Sequence, residues 1–264
     1  MMELDDAYAN GPYIQGAEGY PPRWTVQAAA FREELANTGH ARLDRPYGAT
    51  PRQAYDLFLP KGPPAGLCVF VHGGYWLKFD RSYWSHLAAG PLAHGWAVAM
   101  PSYHLCPDVQ IADITRQIAR ATEMAADDIP GPIILAGHSA GGHLAARLCV
   151  QGVLADATAK RLKRAVPISP VSDLRPLLRT SMNDQFRLDL SLAEAESPVL
   201  MRPMDHVGVT VWVGADERPV FLDQARWLAE AWGCGHHVAQ GRHHFDVIDA
   251  LTDPASPMVA ALTG

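Results

Sequence analysis

The stretch "PIILAGHSAGGHLAARLCVQ", residues 132–151, joins an apolar run to an amphipathic segment through a glycine-rich turn. Ser139 lies in that turn, with Gly137 two residues before it and Gly141 two residues after it. This G-x-S-x-G pattern between a predicted strand and a predicted helix is typical of a nucleophilic serine on a strained turn. A simple packing loop is the alternative. A phosphate-binding loop is disfavoured because no Gly-Lys-Ser/Thr follows.

The composition restricts the classes of protein to which the chain can belong. Its 264 residues are 48% hydrophobic and 19% charged, which suits a single domain, 1–264, with a large core. A net charge of −6 without a basic cluster argues against nucleic acid as a partner. No apolar run reaches the ~18 residues of a membrane span, and the acidic N-terminus lacks the apolar region of a secretory signal. Four widely spaced cysteines favour reduced thiols in a cytoplasmic protein.

Strand-like and helix-like segments alternate after the first fifty residues. The predicted strands are 53–60, 66–74, 95–103, 132–139, 164–170, 207–216 and 235–240, and the predicted helices are 108–127, 140–151, 218–232 and a closing helix interrupted near Pro254 or Pro257. Apolar runs between amphipathic helices predict an α/β fold, with a mostly parallel central sheet and helices on both faces.

Two long segments lie outside this alternation. Residues 1–50 are rich in Gly, Pro and Tyr, and we expect them to wrap the core and to include one helix, Thr25 to Asn37, capped by Thr25. Residues 170–206 form the one long insertion between strands and carry four prolines. We expect this insertion to be a small lid over the site.

The strand 66–74 ends in a second glycine-containing loop, His72-Gly73-Gly74-Tyr75-Trp76. Ligands of parallel sheets bind at the carboxyl ends of the strands, so this loop and Ser139 should lie at the same edge. Glycines allow the backbone to approach a substrate and present N–H groups to a developing oxyanion, together with the N–H of Ala140. His72 is expected to support the loop, and Tyr75 and Trp76 are either pocket walls or core aromatics.

Two further strand ends carry an acid and a base in the order Ser…Asp…His. Asp216 ends the strand 207–216, and His244 lies on the loop after the last strand. We expect Asp216 to orient His244, with the neighbouring Glu217 and His243 as the respective alternatives.

A metal site is the other interpretation of "GCGHHVAQGRHHFD", residues 233–246. Adjacent residues of a strand point to opposite faces, and neither an H-x-x-x-H helix nor a C-x-x-C pair is present. We therefore expect no metal and no cofactor.

Several motifs together resemble one family. They are HGGYW (72–76), GHSAGGHLA (137–145), SPVSDLRPL (169–177), MNDQFRLD (182–189), VGADE (213–217) and HHFD (243–246). In this order they are similar to the kynurenine formamidase (arylformamidase) branch of the α/β-hydrolase superfamily, near the hormone-sensitive-lipase-like esterases. N-terminal segments such as DDAYAN (5–10) extend the similarity over most of the chain.

The resemblance implies an α/β-hydrolase fold and a specific set of site residues. It implies a Ser139/Asp216/His244 triad and an oxyanion hole formed by Gly74, Tyr75 and Ala140, without a metal. It also implies hydrolysis of N-formylkynurenine, related aryl formamides or small esters.

The resulting hypothesis is a serine hydrolase of EC class 3.1 or 3.5 that cleaves a small ester or aryl formamide through an acyl-enzyme on Ser139. A general carboxylesterase, a thioesterase and a non-catalytic ligand-binding protein are the alternatives. The candidate substrate-binding residues are Tyr75, Trp76, Asn183 and Phe186. The expected partner is a small ester or amide, with neither nucleic acid nor membrane, and a homodimer is left open.

Overall fold

An eight-stranded sheet forms the centre of the protein, in a computed structural model that describes residues 2–264. The strands are β1 Ala41–Pro46, β2 Ala54–Phe58, β3 Leu67–Val71, β4 Ala97–Pro101, β5 Ile133–His138, β6 Leu162–Ile168, β7 Gly208–Gly214 and β8 Gly235–Ala239. Their order is β1-β2-β4-β3-β5-β6-β7-β8. β1 and β2 pair antiparallel, β2 joins β4 antiparallel, and all other pairs are parallel. The predicted α/β architecture is confirmed.

Helices cover the sheet. They are α1 Tyr20–Asn37, α2 Ala89–Ala93, α3 Ile111–Asp128, α4 Ala140–Leu148, α5 Asp156–Ala159, α6 Asn183–Phe186, α7 Leu190–Ala195, α8 Pro219–Trp232 and α9 Pro257–Thr263. Among residues 2–264, no helix combines the length and the apolar character needed to cross a bilayer.

The residues of β3 show why its sequence is continuously apolar. Leu67, Val69 and Val71 pack into the core that contains α3, α4 and α8. Cys68 and Phe70 pack into a second core, on the side of α1 and α9. Because both faces of a central parallel strand are buried, neither face carries polar residues.

Two elements near the N-terminus differ from the sequence prediction. β1 was not predicted, because its residues are almost all exposed at the sheet edge and show no apolar pattern. Helix α1 begins at Tyr20 rather than Thr25, and it has prolines in its first turn. Proline is tolerated there because backbone N–H groups of the first turn have no acceptor within the helix, so the missing N–H of proline costs no hydrogen bond. Thr25 does not cap the helix, and its hydroxyl donates to the Pro21 carbonyl.

The insertion 170–206 is largely packed into the fold. It contains α6, α7 and two 3-10 turns, and Leu177, Phe186 and Ala193 are buried in the core that contains α3, α4 and α8. These three buried side chains therefore join the insertion to the protein interior, whereas Leu190 of α7 is exposed.

Candidate active site

Ser139 lies on a tight turn between β5 and α4, called here the serine turn (residues 137–141). Its backbone has φ 56° and ψ −116°, a conformation that L-residues rarely adopt. A Cβ on Gly137 would lie 2.2 Å from the Gly141 carbonyl oxygen, and a Cβ on Gly141 would lie 2.0 Å from that of Val71. Glycine is therefore a steric requirement at both positions of the motif.

The loop after β3, called here the glycine loop (residues 73–76), lies against the serine turn. A Cβ on Gly73 would be 3.1 Å from the Ser139 Cβ. The backbone is left-handed at Gly74 (φ 111°) and Tyr75 (φ 53°). Within residues 2–264, the backbone N–H groups of Gly74, Tyr75 and Ala140 have no hydrogen-bond acceptor, so they are free to bind an oxygen of a ligand.

The imidazole of His244 is held by a buried carboxylate. His244 Nδ1 lies 2.5 Å from Glu217 Oε2, and both side chains are almost completely buried. Glu217 Oε1 accepts hydrogen bonds from the Ser169 hydroxyl at 2.5 Å and from the Gly214 N–H at 2.9 Å. A carboxylate fixed in this way orients the imidazole and stabilises a positive charge on it.

The carboxylate beside His244 therefore corrects the expectation for Asp216. Asp216 is exposed, and its backbone N–H donates to the Arg242 carbonyl at 2.9 Å. In the loop after β7, called here the Glu217 loop (residues 214–218), Glu217 is the buried carboxylate, because the Ser169 hydroxyl and the Gly214 N–H bind it inside the protein. The structure thus pairs His244 with Glu217, the alternative acid at this position.

The neighbouring histidine, His243, has different partners. Its Nε2 lies 2.9 Å from the Tyr20 hydroxyl, and its Nδ1 accepts from the Phe245 N–H at 3.1 Å. His243 is half-buried, whereas His244 is only 3% exposed. Of the two candidates, the structure thus pairs only His244 with the buried carboxylate.

Two aromatic rings pack against the His244 imidazole. The His138 ring centroid lies 4.6 Å away and that of Phe221 4.3 Å away. Burial holds the pKa of His138 well below its usual value, with the charge of His244 acting in the same direction. His138 is therefore neutral at pH 7 and places no positive charge beside His244.

His72 supports the glycine loop, as expected from its position. It is 1% exposed, stacks on Tyr103 at 4.3 Å, and its Nδ1 lies 2.7 Å from the Gly73 carbonyl oxygen. Burial lowers the pKa of His72 to about 4, so its ring is neutral at pH 7.

A cavity of about 470 Å³ opens at this edge of the sheet. Ser139, His244, Gly74 and Tyr75 line it. No hydrogen bond joins Ser139 to His244 within residues 2–264, and such bonds often tighten only when substrate binds. The aromatic wall consists of Trp24, Phe79, Trp84 and Phe245, and the charged lining residues, both exposed, are Glu18 and Lys78.

Three of the candidate substrate-binding residues lie elsewhere. Trp76 is fully buried in the core, edge-on to Phe186 at 5.7 Å, because the chain turns inward after Tyr75. Phe186 is 1% exposed, because its ring packs against Trp76 in the same core. The Asn183 amide bonds both backbone groups of Leu188, at 3.0 Å each, and closes a local turn. Of the four, Tyr75 alone lines the cavity.

The N-terminal segment covers the cavity, a role that was expected for the insertion 170–206. Residues 8–24 contribute part of the wall, including Tyr8, Asn10 and Trp24, and no lining residue comes from 170–206. The Gly, Pro and Tyr content of this segment indicated wrapping but not its place over the cavity. Ser169 was also missed, although a serine directly after a strand of a parallel sheet is a usable signal.

The histidines of residues 233–246 do not converge. His237 stacks on Trp212 at 3.7 Å, His243 bonds Tyr20 and His244 bonds Glu217. Within residues 2–264, no group of three or more His, Cys, Asp or Glu side chains is placed to hold a metal ion.

Comparison with known proteins gives a consistent set of similarities. A family model for the α/β-hydrolase fold matches residues 68–233. A kynurenine formamidase of Danio rerio is 27% identical, over 88% of this chain and 89% of its own length. A kynurenine formamidase of Drosophila melanogaster is 31% identical, over 75% of this chain and 73% of its own length.

A solved structure is similar over the entire chain. It is a crystal structure of a protein from Silicibacter sp. TM1040 that carries a provisional thioesterase designation. The two chains are 59% identical, each is covered completely, and the TM-score is 0.98.

Proposed function

The chain belongs to the α/β-hydrolase family, in the branch that contains the kynurenine formamidases, and on this premise we propose that it is a serine hydrolase of small esters or aryl formamides. The observation that carries the proposal is the buried Glu217–His244 pair, whose His244 imidazole lines the same cavity as Ser139 on its left-handed turn. A base, an orienting acid and a nucleophile that lines the cavity are the parts that acyl transfer needs.

The proposed reaction begins when His244 takes the proton of Ser139 and the serine oxygen attacks the substrate carbonyl. Glu217 orients the imidazole and stabilises its positive charge. The N–H groups of Gly74, Tyr75 and Ala140 bind the oxyanion, and each such donor contributes roughly 2.7–4 kcal/mol in the transition state. His244 then protonates the leaving amine or alcohol, and water releases the acid from Ser139.

The cavity favours an aromatic substrate. Trp24 and Trp84 pack with centroids 4.6 Å apart, and Trp24 is edge-on to Phe245 at 5.6 Å. These buried rings support the half-buried Phe79 and Phe245 of the same wall, which can contact a flat aryl group by stacking or edge-on. The exposed Glu18 and Lys78 have opposite charges and suit the amino and carboxylate groups of N-formylkynurenine, the formamide that we propose as substrate.

A thioesterase is the second candidate, supported by the similarity to the Silicibacter protein. A coenzyme A thioester carries several phosphate charges, which basic side chains would bind. Among residues 2–264, Lys78 is the one Lys or Arg that lines this cavity, which favours a formamide or a small ester.

The experiment compares turnover of N-formylkynurenine, p-nitrophenyl acetate and acetyl-coenzyme A by the wild-type protein and by Ser139→Ala. We expect wild type to prefer N-formylkynurenine and Ser139→Ala to lose at least about 10³-fold in kcat on every substrate it turns over. Retained activity of a folded Ser139→Ala protein would contradict the proposed nucleophile.

The expected cytoplasmic location remains a proposal. It is supported by the four free cysteines, three of which are buried. Microscopy of a fluorescent fusion together with fractionation tests it, and recovery from the periplasm or the medium would contradict it.

A further inference from the structure

The side chain of Tyr75 ties the glycine loop to the N-terminal segment. Its hydroxyl donates a hydrogen bond to the Tyr8 carbonyl oxygen at 2.6 Å. The backbone of both Tyr75 and Trp76 is left-handed, with φ 53° and 55°. Such conformations are costly for residues with side chains and persist only where surrounding contacts hold them. The hydroxyl bond to Tyr8 is one of these contacts.

Tyr8 is itself held firmly. It is 2% exposed, and its hydroxyl accepts a hydrogen bond from Gln224 Nε2 at 2.9 Å. Its ring is edge-on to Phe221 at 6.0 Å, and the same Phe221 ring lies 4.3 Å from His244. Tyr8 therefore contacts α8 directly, and the Phe221 ring lies between Tyr8 and His244.

The segment that carries Tyr8, called here the N-terminal strap (residues 2–19), is anchored beside the Glu217 loop as well. Asp6 Oδ2 lies 2.9 Å from Arg218 Nη2, and the Arg218 guanidinium lies 3.5 Å from the Tyr13 ring centroid. Arg218 follows Glu217 directly in the chain. The strap thus contacts both the loop that offers N–H donors and the loop that carries the acid.

We propose that Tyr8 is a positioning residue that holds the Tyr75 N–H in the direction of the oxyanion, an inference that rests on the proposed function. An oxyanion donor must be fixed before charge develops, because reorientation during the reaction costs free energy. Loss of the Tyr75–Tyr8 bond would weaken binding of the transition state more than binding of the substrate. The effect is therefore expected in kcat rather than in KM.

Tyr75→Phe tests this directly, since it removes the hydroxyl and keeps the ring and the backbone N–H. With p-nitrophenyl acetate we expect kcat to fall about fivefold to tenfold, the loss that corresponds to one hydrogen bond, with KM changed less than twofold. Tyr47→Phe is the matched control, because the buried Tyr47 hydroxyl also donates to a carbonyl, that of Ser102 at 2.7 Å, outside the cavity. Its kcat should equal that of wild type.

A double-mutant cycle shows whether Tyr75 acts through Tyr8. Tyr8→Ala keeps the carbonyl acceptor but removes the Gln224 and Phe221 contacts that hold it in place, so adding Tyr75→Phe should reduce kcat by a smaller factor than it does in the wild-type background. Independent, multiplying effects of the two substitutions would overturn the proposal, as would an unchanged kcat for Tyr75→Phe alone. Circular dichroism confirms folding, and the Tyr75→Phe result stands even if Tyr8→Ala does not fold.

The outcome separates this inference from the proposed function. An active Ser139→Ala protein would overturn the serine mechanism. An inactive Ser139→Ala protein combined with a fully active Tyr75→Phe protein would overturn only the role of Tyr8.

Discussion

The serine turn and the Glu217 loop both follow strands of the same sheet, yet their sequences specify them in different ways. In the serine turn, backbone sterics determine the residue type, because glycine is required where a Cβ would lie 2.0 to 2.2 Å from a carbonyl oxygen. In the Glu217 loop, two adjacent carboxylates are present, and the buried one is the one that the Ser169 hydroxyl and the Gly214 N–H bind. A motif made of steric requirements can be recognised from sequence, whereas the choice between neighbouring acids depends on a contact distant in the chain.

The largest effect should distinguish the two acids of the Glu217 loop. Glu217→Gln keeps the shape of the side chain but removes the charge that stabilises protonated His244, so kcat should fall on the order of 10³- to 10⁴-fold. The matched variant Asp216→Asn, at an exposed position, should stay within threefold of wild type. Steady-state rates with p-nitrophenyl acetate measure both losses. A larger loss of kcat in Asp216→Asn than in Glu217→Gln would restore Asp216 as the acid.

The next effect tests the steric basis of the serine turn. Gly141→Ala places a Cβ 2.0 Å from the Val71 carbonyl oxygen, so the free energy of unfolding should fall by about 3 kcal/mol or more. Urea denaturation measures this. Gly62→Ala is the control, since within residues 2–264 no heavy atom beyond its two chain neighbours lies within 4 Å of the added Cβ. Equal stability of the two variants would show that the turn has more room than the geometry indicates.

A smaller effect is expected from the hydroxyl that supports the acid. Ser169→Ala removes the donor to Glu217 Oε1 and leaves the Gly214 N–H as the remaining donor to that oxygen. The carboxylate should then orient His244 less strictly, and kcat should fall about tenfold, with KM nearly constant. An unchanged kcat would mean that the remaining contacts suffice to fix Glu217.

The smallest effect concerns the histidine next to the base. His243→Asn removes a ring that contacts Tyr20 and leaves the Glu217–His244 pair in place. Activity should remain within threefold of wild type, whereas His244→Asn should be nearly inactive. A large loss in His243→Asn with His244→Asn still active would exchange the two assignments.

The sequence predicted the parts of the fold that depend on local pattern. The buried strands are visible as apolar runs because both faces of the sheet are covered. Strand β1 is not predicted, because its exposed residues show no such pattern. Helix α1 begins earlier than predicted, because the first turn of a helix can contain proline residues.

The candidate site was predictable where residue order and glycine spacing determine it, as at Ser139. The cavity walls were not, because they depend on which distant segment folds over the loops. The sequence predicts Trp76 and Phe186 as substrate-binding residues, but their rings pack against each other in the core. The N-terminal strap, with no motif of its own, supplies part of the wall instead.

Mass spectrometry after treatment with phenylmethanesulfonyl fluoride tests the central claim most directly. The serine oxygen would form a bond to sulfur as fluoride leaves, so the intact protein should gain a single sulfonyl group and lose activity. Peptide mapping should place that group on Ser139, and Glu217→Gln should react far more slowly than Asp216→Asn. A sulfonyl group on another residue, formed in step with the loss of activity, would contradict the account.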